Sequence, residues 1–252
     1  MFVFELLLLA FGEGQVQGKA TVAWLRAASG RQADGEPRMV TQTQLALNDA
    51  AEWLGVWHPL AEQLGSTDGL AALGAISSLL QLPPVHNRLS LRRFLRGYQA
   101  EILVPVELPS IQTARAHASR NELRELIAVD QRLAEEPTLQ PFAIASQRVG
   151  QAQLQKLRPL RDQRMVRRYL EAVESGAAYG WHTLVYGLTL ELYSLPSRQG
   201  LLGYAHQTTR GFIYSSARKL RLSEHDCRDL FDELVVHLPG AVDKLLGLPN
   251  PI

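Results

Sequence analysis

Residues 90–102 read SLRRFLRGYQAEI, and their spacing decides the fold class. Leu91, Phe94, Leu95, Tyr98 and Ile102 recur at i, i+3, i+4, i+7 and i+11, the apolar stripe of a helix. Arg92, Arg93 and Arg96 fall mainly on the other face. Ser90 stands just before the stripe and is the expected N-cap, because its hydroxyl can accept from an orphan N–H of the first turn. The pattern returns at Leu123, Leu126, Ile127 and Leu133, after Asn121 as a second cap candidate. It returns again at Val166, Tyr169, Leu170 and Val173, and in a last element marked by Leu230, Leu234, Leu238 and Leu245. Residues 223–226 (SEHD) resemble a capping box with Asp in place of Glu. Pro239-Gly240 is expected to kink or break the helix it falls in.

Two stretches read differently. Residues 181–193 (WHTLVYGLTLELY) are apolar nearly all round, so this helix belongs at the centre. Residues 200–220 carry Gly200, Gly203 and Gly211 in a helical pattern, at about 1 kcal/mol each against alanine, which points to close helix–helix approach. Prolines at 83, 84, 105, 109, 137, 141, 159 and 196 cut the chain into helices of ordinary length. The one short strand-like run is 102–106 (ILVPV), and Pro105 argues against a central strand there. The expected architecture is all-α, one compact multi-helix bundle of about eight to ten helices.

The composition narrows the function classes. The chain has 252 residues, 46% apolar and 20% charged, with a net charge of +1, which supplies no strong field for nucleic acid or an anionic membrane. Cys227 is the single cysteine, so no intramolecular disulfide and no multi-cysteine zinc site can form. A reducing cytoplasm fits. The apolar run 2–11 (FVFELLLLAF) is roughly half the ~20 residues of a spanning helix. It holds Glu5 and lacks a basic n-region, so a buried or interfacial helix is the plainer reading than a signal peptide. Residues 30–38 (GRQADGEPR) are polar and turn-rich, directly before Met39. The division expected is an N-terminal extension over 1–38 and an all-helical domain over 39–252.

The chain holds no HExxH pair, no GxxxxGK[ST] loop, no GxSxG elbow and no DDxxD pair. His225-Asp226-Cys227 mixes ligand types, but neighbours on a helix point about 100° apart and converge poorly. Glu135-Glu136 ends a helix before Pro137 and reads as a solvated face. Residues 155–168 collect Lys156, Arg158, Arg161, Arg164, Arg167 and Arg168 against Asp162, without the recognition helix and turn that DNA readout needs. His182 lies on the most apolar helix, where a hydrogen bond to a neighbouring helix is the default role for a histidine.

From about residue 85 to 238 the order of these segments resembles the urease accessory protein UreF family. The stretches that carry it are LRRFLRGY (91–98), VELP (106–109), the alanine-rich 111–119, Val129-Asp130, ASQRVG (145–150), HTLVYG (182–187), and the small-residue helix from Leu201 through Arg218 before LSEH (222–225). On these the family-motif residues are Ser146, Gly150, His182, Gly187, Tyr204 and Arg218. The family's early signature, similar to FPIGxxxHSxGLE, has its nearest match in 57–70 (WHPLAEQLGSTDGL). There Pro59, Ser66, Gly69 and Leu70 align only with a one-residue slip; Gly65 stands near the histidine's place and Ala71 in the glutamate's. The turn glutamine is Glu224.

The resemblance implies a protein that is not an enzyme and needs no cofactor or metal of its own. It implies a helical adaptor in nickel-dependent urease maturation that binds UreD (UreH in some systems), the GTPase UreG and apo-urease, with a homodimer left open. Such an adaptor needs an apolar face for a long-lived partner and a more polar one for a GTPase that comes and goes. Arg92, Arg93, Arg96, Arg161, Arg164, Arg167 and Arg168 are candidates for charge complementarity. Gly69, Gly150 and Gly187 also have a plain packing reading, and Arg218 can complement a helix dipole. The competing class is an all-α enzyme or small-molecule-binding bundle that uses His182 or His206 in its core.

Overall fold

The computed structural model describes residues 76–158 and 164–248. Pro59, Gly69, Leu70, Arg161 and the boundary expected near Met39 lie outside them. Among the described residues there is no strand; the elements are helices.

The first helix, α1 (Arg88–Tyr98), buries Leu91, Phe94, Leu95 and Tyr98, the face given by its periodicity. Its cap lies three residues earlier than the sequence suggests. Asn87 is the N-cap, its side chain accepting from the Ser90 N–H at 2.9 Å. Ser90 is the N3 residue, and its Oγ accepts from the Asn87 N–H at 3.0 Å. Two orphan donors are thereby satisfied reciprocally.

Beyond Tyr98 the chain does not become a strand at 102–106. It continues as a nine-residue π-helix, Gln99–Glu107, with Pro105 inside, and runs on into α2 (Leu108–Ser119). The reason is phase. An α-helix turns ~100° per residue, so the nine steps from Tyr98 to Glu107 would turn ~900° and leave the two on opposite sides. A wider turn of roughly four and a half residues makes nine residues two whole turns. The π segment thus brings Glu107 back under Tyr98. It also turns the buried face of α2 (Leu108, Ile111, Ala114 and Ala118) to the side on which α1 is buried. Pro105 favours the same outcome, since in an α-helix its ring would strike the carbonyl four residues earlier.

After α3 (Leu123–Leu133) and a 3-10 turn (Pro137–Phe142) come α4 (Ala143–Lys156), α5 (Arg164–Glu174) and α6 (His182–Leu192). Asn121 is not the cap of α3; it takes a left-handed φ of 55° and Glu122 is the N-cap. Glu136 faces less solvent than expected: its side chain accepts from the Thr138 N–H and caps the 3-10 turn. Helix α6 is the centre of the bundle, with every residue from His182 to Leu190 buried. It packs closest on α2 at Gly187, where a Cβ would lie 2.4 Å from the Ile111 carbonyl oxygen and 2.8 Å from the Ala114 Cβ.

The long α7 (Ser197–Leu220) spans about 36 Å at 1.5 Å per residue. Leucines 230 to 245 form two helices rather than one. Helix α8 (Glu224–Val235) has the predicted Ser223–Asp226 capping box, and α9 (Leu238–Leu245) starts with Pro239 in its first turn, where a missing N–H does no harm. Along α1, Arg88 pairs with Asp226 at 2.7 Å and Asp229 at 3.3 Å, while Arg92 and Arg96 reach Glu233 at 3.6 and 2.5 Å. These exposed pairs fix register between α1 and α8 more than they add stability, at about 0–1 kcal/mol each.

Candidate functional site

Three residues singled out in the sequence meet inside the bundle. Ser146 Oγ on α4 lies 2.6 Å from Nδ1 of His182, and Nε2 of His182 lies 2.5 Å from the Tyr204 hydroxyl on α7. Ser146 is fully buried, His182 is 4% exposed and Tyr204 3%, so solvent completes none of these bonds. The chain extends further. Tyr204 and, from α1, Tyr98 hydrogen-bond the carboxyl of Glu107, itself 1% exposed, and Thr208 hydrogen-bonds Tyr204. Burial, then the Glu107 charge, pushes the pKa of both tyrosines well above the ordinary range. Both hydroxyls therefore keep their protons. Five side chains from α1, the π segment, α4, α6 and α7 form one polar thread through an apolar core.

A second buried carboxylate sets where that thread begins. Asp130 on α3 is fully buried and accepts from the Tyr169 hydroxyl at 2.5 Å. It also accepts from three consecutive backbone N–H groups, Tyr179 at 2.5 Å, Gly180 at 2.9 Å and Trp181 at 3.4 Å. These are the last residues before α6, and Gly180 takes a left-handed φ of 75° to present them. Burial raises the Asp130 pKa, opposed by the bonds from Tyr169 and the three amides. The clamp fixes the start of α6 and with it the His182 ring.

Gly150 locks the same corner from α4. A Cβ there would lie 2.0 Å from the Gly180 carbonyl oxygen, 2.7 Å from the His182 nitrogen and 2.8 Å from the Trp181 carbonyl carbon. All three are backbone atoms, so only glycine lets α4 approach closely enough for Ser146, one turn earlier, to reach His182. Gly187 does the corresponding work between α6 and α2. Ser146, Gly150, His182, Gly187 and Tyr204 are thus interior residues. Arg218 stands apart: it is exposed in the last turn of α7, fourteen residues or about 21 Å along the helix from Tyr204.

Glu107, Asp130, Tyr98 and Tyr169 belong to these networks and were not singled out as site residues. Their signal is an acid within an apolar stretch, Glu107 in VELP and Asp130 in LIAVD, which a helix can bury only against donors.

The arrangement holds no accessible nucleophile or acid–base pair. Both ring nitrogens of His182 are engaged, which leaves it none to offer a ligand. His206 is half-buried, with its ring edge-on to Phe231 at 5.8 Å and its pKa lowered by burial. No group of three or more His, Cys, Asp or Glu among the described residues could hold a metal ion. His225 is exposed and faces Asp229 at 3.4 Å, while Cys227 is buried. No helix among the described residues is long and apolar enough to cross a membrane.

The outer surface is divided in charge use. Arg92 and Arg96 are engaged with α8, so within α1 it is Arg93 that faces outward without a carboxylate partner among the described residues. In the basic run, Arg158 pairs with Glu174 at 3.4 Å and Arg167 with Glu171 at 3.8 Å. Arg164 and Arg168 are exposed and unpaired among the described residues. Exposed apolar side chains include Ile144 at 84% and Val236 at 67%.

Compared with curated proteins, the chain finds no match. The family model described as UreF matches residues 85–234, well over half of the chain. That span starts just before α1 and ends in α8. It takes in the π segment, the buried carboxyls of Glu107 and Asp130 and the whole polar thread. With its all-helical bundle and these interior motif residues, the chain belongs to the UreF family of urease accessory proteins.

Proposed function

We propose that this chain is a non-catalytic adaptor in nickel-dependent urease maturation. It works in the cytoplasm, bridges UreD (UreH) and the GTPase UreG, and docks on apo-urease so that nickel, the cargo, reaches the urease site. The observation that carries this reading is the use made of the family-motif residues. Ser146, Gly150, His182, Gly187 and Tyr204 all go into close packing and a closed hydrogen-bond thread, which suits a rigid scaffold and leaves no chemistry exposed.

Partner recognition then falls to the outside. Among the described residues, Arg93, Arg164 and Arg168 are the arginines of the two predicted basic groups that stay available for an acidic partner. Such charges set on-rate and register more than affinity. Ile144 and Val236 are apolar contacts of the kind an interface core uses. In this reading Pro59, Gly69 and Leu70 of the altered early signature are further partner contacts, Arg218 is a surface contact, and self-association is a homodimer. Residues 1–38 are an extension to the working domain over 39–252.

The test is co-expression of the full chain with the UreD and UreG of the same genome, followed by affinity capture and mass determination by light scattering. A stoichiometric complex is expected. A folded chain that captures neither partner refutes the adaptor role. Arg164→Glu with Arg168→Glu should lower the association rate with a partner at low salt. An unchanged rate assigns those residues to a solvated face.

A further inference from the structure

We propose that a pocket where α2, α5 and α6 meet takes the arginine side chain of a partner protein, with Glu191 as the principal acceptor. The pocket's preference for a guanidinium stands apart from the adaptor reading, which enters only in who supplies the arginine.

The pocket has a volume of about 210 Å³. Its floor is apolar: Met165 and Val166 from the first turn of α5, Leu188 and Leu192 from the C-terminal half of α6. Its rim is polar: Ser119 and Asn121 at the end of α2, and Glu191. A cavity of that size is smaller than the roughly 300–1,000 Å³ that enclose a drug-sized ligand or cofactor, so a single side chain is the occupant that fits.

The rim is a set of acceptors. The Glu191 side chain is 33% exposed and forms an ion pair with Arg115 Nε at 3.3 Å. That pair is not a hydrogen bond. Arg115 Nε is buried without a hydrogen-bond partner among the described residues, and the guanidinium donates through Nη1 to Ser197 Oγ instead. The Glu191 carboxylate, two-thirds withdrawn from water, therefore accepts no hydrogen bond among the described residues. Ser119 Oγ gives its proton to the Ala116 carbonyl at 2.9 Å, so its oxygen is left to accept. Asn121, at a left-handed φ of 55°, brings a side-chain amide with no partner among the described residues to the same rim. The last carbonyls of α2 add the negative end of its dipole.

Acceptors above an apolar floor match an arginine. Its hydrocarbon stem lies on apolar surface, and its planar fork offers five donors, two of them spaced for one carboxylate. Arg115 offsets the charge of Glu191 but leaves its acceptor sites open. Arg164, at the start of α5, is exposed and does not line the pocket.

The test begins with the full-length chain labelled with 15N and titrated with n-propylguanidinium or its neutral isostere n-propylurea. Amide shifts at Ser119, Asn121 and Leu192 should saturate with propylguanidinium, and propylurea should bind about tenfold more weakly or less. Glu191→Gln should weaken propylguanidinium about tenfold, because it removes the charged acceptor. Asn121→Gly keeps the left-handed φ without strain and should weaken binding about threefold; it serves where Glu191→Gln does not fold. No saturable shift, equal binding of propylurea, or a folded Glu191→Gln with unchanged affinity overturns the pocket. The second arm is the complex co-expressed with UreD and UreG, in which Glu191→Gln should speed the dissociation of one partner about tenfold. Unchanged dissociation of both overturns the partner's arginine. So does a loss of self-association in its place, which gives the arginine to a second copy of this chain. A wild type that captures neither partner refutes the adaptor reading and the partner's arginine with it, while saturable binding in the first arm still upholds the pocket.

Discussion

Gly150→Ala tests whether this bundle is held by backbone approach at the start of α6. The added Cβ would sit 2.0 Å from the Gly180 carbonyl oxygen and within 2.8 Å of two more backbone atoms. An ordinary carbon–oxygen contact is more than 1 Å longer, and no side chain is there to swing away. Helix α4 must therefore back off by about that amount. Forcing such an overpacked contact costs about 1–3 kcal/mol. The shift also stretches the 2.6 Å bond from Ser146 Oγ to His182 past useful length, for about 1 kcal/mol more. Against this stands a helix-propensity gain of up to ~1 kcal/mol for replacing glycine. The net loss is about 1–3 kcal/mol, read as a fall in the urea midpoint at unchanged m-value by far-UV circular dichroism. Gly240→Ala is the matched control. Gly240 lies in α9 with open space around its Cβ position, so that change should be neutral or stabilise by up to ~1 kcal/mol. If Gly150→Ala is as stable as Gly240→Ala, close approach at this corner is not what requires the glycine.

Asp130→Ala should cost about 3 kcal/mol or more in thermal or urea melts, because it leaves the Tyr169 hydroxyl and three amides without their acceptor. Asp130→Asn should recover only part of it, since an amide nitrogen cannot accept. Burial raises the Asp130 pKa, so its ionisation weighs against folding. Its contribution to stability is greatest below its unfolded pKa and falls as pH rises through the folded one, a trend Asp130→Asn should abolish in melts recorded across the acid range. Glu122 is the opposite case: hydrogen bonds from Arg120 and then His117 lower its pKa from 4.5 to about 2. Its stabilisation is present above pH 4.5 and is lost as pH falls through about 2. Carboxyl NMR titration should find that midpoint, and Arg120→Ala should move it back toward 4.5. Removing Glu233, shared by Arg92 and Arg96, should change stability by less than about 1 kcal/mol and less still at high salt, measured by urea melts at two ionic strengths.

Periodicity was enough for most of the helices, because each buries one stripe and that stripe is local information. The i, i+3, i+4 pattern of 91–102 and the all-apolar 182–190 both appear in the structure as written. The π segment was not legible in this way. Its cause is non-local: α1 and α2 must turn their apolar faces to the same side, and an α-helical run from Tyr98 would leave those faces out of phase. Read only over 102–106, the same residues look like a short strand. The caps show a smaller version of the problem. Asn87 and Ser90 are both good capping residues, and in a capping box the second serves as the N3 partner of the first.

The site shows a sharper limit. Ser146, His182 and Tyr204 were marked by their place in family motifs, yet what joins them is a hydrogen-bond thread whose terminal acceptor is Glu107. A carboxylate buried to 1% is destabilising unless donors surround it, and those donors come from α1 and α7, distant in the chain. The motif residues and the buried acids Glu107 and Asp130 therefore constrain one another. The carboxylates need the tyrosines and the clamped amides, the tyrosine and amide positions need the close helix crossings, and the crossings need Gly150 and Gly187. A family motif made of such residues records the conditions for one interior rather than a surface that meets a partner. Under the proposed adaptor role, partner contacts fall to side chains this interior leaves unconstrained, such as Arg93, Arg164 and Arg168. Those can change without disturbing the thread.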